Sequence, residues 1–554
     1  MSKKKAESKK EGLYFMPIGG CSEIGVNLYI YAYNDQWILV DMGMGFDNEL
    51  GKELVVPSPE FLIKNKSKIK ALFITHSHED HIGAIPYIWQ MIQCPIYART
   101  FAAEMIREKL IQFRLEKEVP LIKVSPNAKV SIDCFEIEFI PVAHSTPEST
   151  ALAITTPEGI VIHTGDWRLD DDPALGSKTD EEKIKSYKEK GVLALVCDST
   201  NVFRDVRYIS EKDVRKNMID LVKKHKKNRI VVTCFASNLA RLETCYLAAK
   251  ESGRQLVISG RSLKRIEKIA KISGYFKEVP AFLDEKKANS LDPSKVLLVC
   301  TGSQGELNSA LNKIAHGTHK TIKVQEKDVV IFSSRVIPGN EKSVLEIQNA
   351  LVEQNVKIIT DSDYEIHASG HPSKEELEYL YSISEPNILI PIHGEMLHLY
   401  KHAEIAREYG IKNVVIPKNG SLIKIEKDRP KIVDKIDVEL LAVDGNRLIP
   451  TSGIVYKQRE NLSCNGAVSA CIKIEKGSIK LTEFSHFGIF ENSETDEMND
   501  IKNDIASEIK LSLEDIIKNK HQDKEKIKST IEKIIANTFL ETRGKKPVVM
   551  IHVI

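Results

Sequence analysis

Apolar residues in the first two hundred positions fall in short runs broken by turn residues, the spacing of strands in a layered fold. "LYFMPIG", "NLYIYAY", "QWILVDMG", "KALFITHS", "PIYAR", "FEIEFIPVAH", "ALAITTP", "GIVIHTGD" and "LALVCDST" each read as a strand, with helices such as "HIGAIPYIWQMI" and "TFAAEMIREKL" between them. From Arg207 to Asp363 the rhythm changes. "SEKDVRKNMIDLVKKH" leads to "RIVVTCFAS", "NLARLETCYLAAKESG" leads to "QLVISG", and "KVLLVCTGS", "DVVIFSS" and "NEKSVLEIQNALVEQNV" follow. This helix–strand alternation predicts a second α/β domain with a buried, mostly parallel sheet. "HASGH" and "NILIPIHGE" then restore the first style. The middle segment therefore reads as an insertion into the first domain. After "LLAVDGNRLIPTSG" the pattern resets to two β-like runs, a charged helical stretch and a terminal strand, "PVVMIHVI". The expected division is a tail at 1–10, a first domain at 11–206 and 364–450, an insert at 207–363, a linker at 451–460 and a small α/β domain at 461–554.

Length and composition fit this division. A chain of 554 residues holds about three domains, and 42% hydrophobic with 28% charged residues suits a globular protein with a large core. No apolar run of about 18 residues predicts a membrane span. The opening "MSKKKAESKKEG" has no apolar segment behind it and is expected to be a solvated tail rather than a secretory signal. The nine cysteines are scattered with no CxxC pair, as expected of reduced thiols in a cytoplasm. A net charge of +1 leaves only local footprints for a polyanion. The basic stretches "LVKKHKKNR" and "GRSLKRIEKIAK" read best as solvated helix faces.

The chemistry sits where strands end. Asp41, His76, His144, Asp166 and Asp198 each close an apolar run, and rigid strands feeding loops are where sites gather. "THSHEDHIGAIP" is the densest of these segments. His76 and His78, two apart on an extended segment, point the same way and can converge on one ion. Asp80 and His81 begin the next turn and serve another. Two ions then need ligands from later strand ends: His144, Asp166 (a candidate bridge) and His393. Asp41 is placed to orient a histidine rather than to ligate. Imidazoles and carboxylates without thiolate suit two divalent cations, zinc first, with manganese or magnesium as alternatives. A pair of such ions activates water and clamps a displacement.

"THSHEDH", with "DMG", "AHSTPES" and "TGDWR", resembles the metallo-β-lactamase superfamily, whose fold is an αββα sandwich. By that resemblance His76, His78 and His144 hold one metal, Asp80, His81 and His393 the other, with Asp166 between. The insert resembles the β-CASP domain of nucleic-acid-processing members. Their acidic signature corresponds to Glu211, in "YISEKD", and their second signature to His371, closing "HASGH". The third is histidine in members acting on RNA and valine in those acting on DNA; here it is His393. "IGGCSEIGVN", "DSTN", "FASN", "TGSQGE", "HASGH" and "PIHGE" together are similar to the bacterial ribonuclease J family over nearly the whole chain. Cys21 stands in the first loop where that family more usually has another residue.

The resemblance implies a metal-dependent ribonuclease that removes nucleotides from 5′-monophosphate ends and also cuts internally. Asp80, Glu211 and His371 would act in catalysis. His367, Ala368, Ser369, Gly370 and His371, with Ser237 and Asn238, would bind the nucleotide and its 5′ phosphate. It implies single-stranded RNA as partner and a homodimer or homotetramer formed through the last domain. Three alternatives remain open: a hydrolase of thioesters or lactones, disfavoured by the insert; a non-catalytic subunit, disfavoured by the complete ligand set; and a DNA nuclease, disfavoured by His393.

Overall fold

The computed structural model describes residues 12–46, 54–288, 290–475, 478–491, 496–518 and 524–554. The expected tail at 1–10 lies outside them. Two compact units divide the chain at Leu440/Leu441. The first is built on three sheets, and two of these face each other.

One sheet of the pair has eight strands. It runs from Leu13–Gly19 through the hairpin neighbours Leu28–Tyr33 and Gln36–Val40 to the parallel strands Ile69–Phe73 and Ile96–Arg99. The other has seven, with Phe135–Pro141, Thr150–Thr156 and Gly159–His163 antiparallel and Val192–Asp198 added in parallel. Their inner faces meet in one apolar core that includes Phe15, Tyr29, Phe73, Phe139, Leu152 and Val196. Helices Glu181–Lys190, Lys374–Ser384 and Met396–Tyr409 cover the outer face of the second sheet through Ile184, Leu377, Leu380 and Ile405. The result is an αββα sandwich.

The chain leaves the sandwich after Val192–Asp198 and returns through helix Lys374–Ser384 to strand Ile388–Ile392. These two strands pair in parallel, from Ala194↔Ile388 to Asp198↔Ile392. Between them stands the third sheet. Its six strands, from Ile230–Thr233 to Lys357–Ile359, are all parallel. A parallel sheet covered by helices on both faces needs apolar residues at every position, and "IVVT", "VLLVC" and "VVIF" are buried throughout. The insert is therefore a self-contained α/β body carried between two adjacent strands.

The second unit has strands Ala467–Glu475, Ser478–Phe487 and Val548–Val553, and helices Asp496–Lys518 and Lys524–Arg543 packed through Ile505, Ile531, Ile535 and Phe539. The segment expected as a linker, 451–460, falls largely in helix Ile454–Asn465, which runs from Gly453 to Gly466. No helix of the described residues is long and apolar enough to cross a membrane, and all nine cysteines are free thiols.

Candidate metal centre

Strands Gln36–Val40, Ile69–Phe73, Phe135–Pro141, Gly159–His163, Val192–Asp198 and Ile388–Ile392 end on one edge of the sandwich. The loops that follow carry Asp41, His76 to His81, His144, Asp166, Asp198 and His393. The edge thus gathers groups that lie far apart in the chain.

Two ligand sets that share Asp166 form there, and Asp198, His371 and His393 make a third group. His76, His78, His144 and Asp166 offer atoms within 4.8 Å of one another, and so do Asp80, His81, Asp166 and His393. His78 Nδ1 lies 3.1 Å from both His76 Nε2 and His144 Nε2. Asp166 is shared. Its Oδ2 is 3.5 Å from His76 Nε2 and 3.5 Å from His393 Nε2, and its Oδ1 is 3.3 Å from His81 Nε2. Asp80 Oδ2 is 3.5 Å from His81 Nε2 and 3.7 Å from His393 Nε2.

Partners on the far side fix the tautomer of three of the rings. His144 Nδ1 donates to the carbonyl of Gly370 at 2.6 Å, His81 Nδ1 to Asp41 at 2.7 Å, and His76 Nδ1 faces Thr75 Oγ1 at 3.1 Å. The inward Nε2 atoms then present lone pairs, and at most one proton can lie among the three nitrogens of the first set. Such a convergence is repulsive unless a cation fills it, so these residues fit a divalent metal. Burial, above all, pushes His78 down to about 4, which keeps its ring neutral and ready to ligate. Burial works to raise Asp80 and Asp166, yet the surrounding histidines hold both carboxyls below the usual range.

Asp41 is where the sequence placed it, behind a ligand. It accepts from the Thr75 amide and hydroxyl, both at 2.8 Å, as well as from His81. Its backbone is left-handed, at φ 58°, a conformation Asp tolerates better than most residues. Asn27 was not anticipated. Its amide lies 3.0 Å from His81 Nε2 and 3.3 Å from Asp80 Oδ2, and Tyr29 OH holds its carbonyl at 2.7 Å. Only its place in "IGVN" could have flagged it.

The "HASGH" loop closes over this edge. Gly370 has no room for a side chain, since a Cβ there would come within 2.4 Å of the His144 ring. His371 Nδ1 is 2.7 Å from Asp198 Oδ2 and 3.9 Å from Asp166 Oδ2. Burial opposes protonation of His371, but Asp198 and then Asp166 outweigh it and push the group up to about 9. Ser369 Oγ accepts from Asn201 at 2.8 Å and its carbonyl from Arg168 at 2.8 Å. His367 is largely buried beside Tyr208, and burial pushes it down to about 3. Ala368 is buried beneath the loop.

Three expected site residues stand elsewhere. The Glu211 carboxylate meets neither ligand set. It pairs with Arg241 Nη2 at 3.1 and 3.2 Å, and Arg241 Nη1 in turn donates to Ser333 O at 2.8 Å and Ile366 O at 2.8 Å. Glu211 is thus linked through Arg241 to Ile366, the residue before "HASGH". Asn238 caps helix Leu239–Glu251 by accepting from the Arg241 amide at 2.9 Å, with Ser237 half-exposed beside it.

Comparison with known proteins agrees with this geometry. Residues 22–203 match the metallo-beta-lactamase superfamily, 227–351 match "Ribonuclease J, beta-CASP domain", and 362–417 match "Zn-dependent metallo-hydrolase RNA specificity domain". A crystal structure of a protein of unknown function from Enterococcus faecalis shares the fold, with a TM-score of 0.53 and 18% identity over 74% of this chain and 99% of that one. Fold and site together define a divalent-metal hydrolase of the metallo-β-lactamase superfamily with an inserted β-CASP domain. The chain is 35% identical to a ribonuclease J of Sinorhizobium meliloti over 100% of both chains. It is 36% identical to ribonuclease J 1 of Streptococcus pyogenes over 83% of this chain and 82% of that one. A ribonuclease J of Helicobacter pylori is 30% identical over 98% of this chain and 80% of that one. The chain belongs to the ribonuclease J family.

Proposed function

We propose that the chain is a metal-dependent ribonuclease that degrades single-stranded RNA from a 5′-monophosphate end, with internal cutting as a second mode. The observation that carries this reading is the meeting of two ligand sets at Asp166 with His371 beside them. His76, His78 and His144 would hold one ion, Asp80, His81 and His393 the other, and Asp166 both; zinc suits these donors best. Bound there, the ions lower the pKa of water and neutralise phosphoryl charge.

The chain's own residues do the rest. His371, its Nδ1 committed to Asp198, is left with Nε2 to protonate the departing 3′ oxygen. Asp80 orients the attacking water. Ser369 and the Gly370 backbone can meet a phosphate closely, as can Ser237 and Asn238 at a helix N-terminus. A pocket for the 5′ phosphate would fix the strand end a set distance from the metals. The free thiols fit a cytoplasmic enzyme, and residues 461–554 supply the surface for a dimer or tetramer.

Digestion of one RNA bearing a 5′ monophosphate or triphosphate, with zinc or manganese and a His76→Ala control, tests the reading. Mononucleotides from the monophosphate form, absent in the control, are expected. Cleavage at internal sites regardless of the 5′ end would keep the metal centre and remove the pocket. No RNA cleavage with either metal would overturn the proposal.

A further inference from the structure

Large side chains face water on the two segments that follow Asp198 and His393. Phe203 is 52% exposed, Leu397 68% and Tyr400 58%. Phe203 lies in the loop after Val192–Asp198, and Leu397 and Tyr400 lie on the first turns of Met396–Tyr409. These segments follow the two paired strands that deliver Asp198 and His393. The Phe203 ring packs edge-on against His398, with centroids 5.2 Å apart and planes at 70°. His398 sits directly over the residue after His393, where a Cβ on Gly394 would lie 2.8 Å from the His398 Cβ. Its Nδ1 is buried and has no hydrogen-bond partner among the described residues.

The loop bearing Phe203 is tied to the reacting edge. Asn201, two residues before it, donates to Ser369 Oγ at 2.8 Å and to the His371 carbonyl at 3.1 Å. The loop is therefore tied to "HASGH", and about half of Phe203 stays open to solvent. An open aromatic face costs hydrophobic free energy unless something covers it. At the mouth of a site for single-stranded RNA the fitting cover is a nucleobase, since every base has a π-face and stacking does not depend on sequence.

We infer that Phe203, braced by His398, is a stacking shelf for the base of a nucleotide flanking the scissile phosphate. The inference rests on the ribonuclease reading and deepens it. The shelf would hold successive bases without selecting among them, while the Asn201 amide keeps it in step with the loop that carries His371.

The test is binding of fluorescent single-stranded RNA to the full-length protein in a chelator, so that nothing is cut. The RNAs form a series, each with one abasic position. Wild type should lose affinity at one or two adjacent positions. Phe203→Ala should bind intact RNA between about 5-fold and 100-fold more weakly, the range for one stacked base, and lose the positional dependence. Phe203→Trp should restore both. An unchanged melting temperature checks that Phe203→Ala folds. Equal binding by wild type and Phe203→Ala, with no sensitive position, would overturn the shelf and leave the ribonuclease intact. Unchanged RNA affinity with a lower mass in light scattering would also overturn it, giving the surface to a second copy of this chain. Wild type that neither binds nor cuts RNA would sink both readings.

Discussion

Removing the Glu211 carboxylate separates a positioning role from a chemical one. Arg241 is fully buried and spends its guanidinium on Glu211, Ser333 and Ile366. Glu211→Gln would leave that cation with only neutral acceptors. Breaking one partner of a buried ion pair costs about 3–5 kcal/mol. That cost falls on the segment leading into "HASGH", because Ile366 is its last anchored residue. With about 1.4 kcal/mol per factor of ten, local opening around residues 366–371 should become roughly 100-fold to 4,000-fold more frequent. Amide hydrogen exchange of peptides covering this segment reads the change directly, and it avoids assigning one unfolding free energy to a chain of several domains. Arg241→Met should do the same. The pair together should cost about 2 kcal/mol or more less than the sum, since no unpaired charge remains. Metal content should stay at the wild-type level in all three. Wild-type exchange in Glu211→Gln together with a rate lowered 100-fold or more would refute the argument and make Glu211 a chemical participant.

Asp41→Asn keeps the shape and the left-handed backbone but weakens the support of His81; metal affinity should fall about 10-fold to 100-fold by calorimetric titration, and an unchanged Kd would refute the role. Gly370→Ala should displace His144 and weaken the first ligand set by a similar factor, read as zinc lost to a competing chelator; full retention of zinc would show that the loop yields without strain. His163 and His402 are fully buried, and burial pushes each down to about 3. A histidine whose folded pKa is depressed contributes fully above its unfolded pKa of about 6.5, and that contribution is lost as pH falls towards the folded value. At pH 5.5 the two should cost about 3 kcal/mol relative to pH 7.5 in metal-free protein, and equal urea midpoints at the two pH values would refute this.

The candidate ligands were legible because strand and ligand share one signal. An apolar run ending in His or Asp is uncommon enough that five such ends, with the hexad from His76 to His81, name a centre before any coordinates exist. The insertion was legible too, because buried parallel strands read differently from those of a sandwich. What could not be read was pairing at a distance. Asp198 was visible as a strand end, but nothing local says that it orients His371, 173 positions later. A signature marks Glu211 but not its partner; only packing brings Arg241 against it. The stretch 451–460 looked like a connection because Pro450, Gly453 and polar residues open it, yet the helix starting at Ile454 needs little apolar surface and leaves a weak periodicity. Short strands such as Leu121–Val124 and Lys129–Ile132 escaped for a related reason: they are half exposed and carry lysines.

The parallel pairing of Val192–Asp198 with Ile388–Ile392 also sets the order of assembly during synthesis. The ribosome releases the first strand long before the second, and the whole β-CASP body must emerge in between. Closing so long a loop from a disordered chain carries an entropic penalty that grows with its length. A body that folds first brings its own two ends together and removes most of that penalty. His393 arrives on the late strand. A nascent chain halted before Ile388 therefore lacks His393, and the candidate centre gains its last residue only after the whole insert has been synthesised.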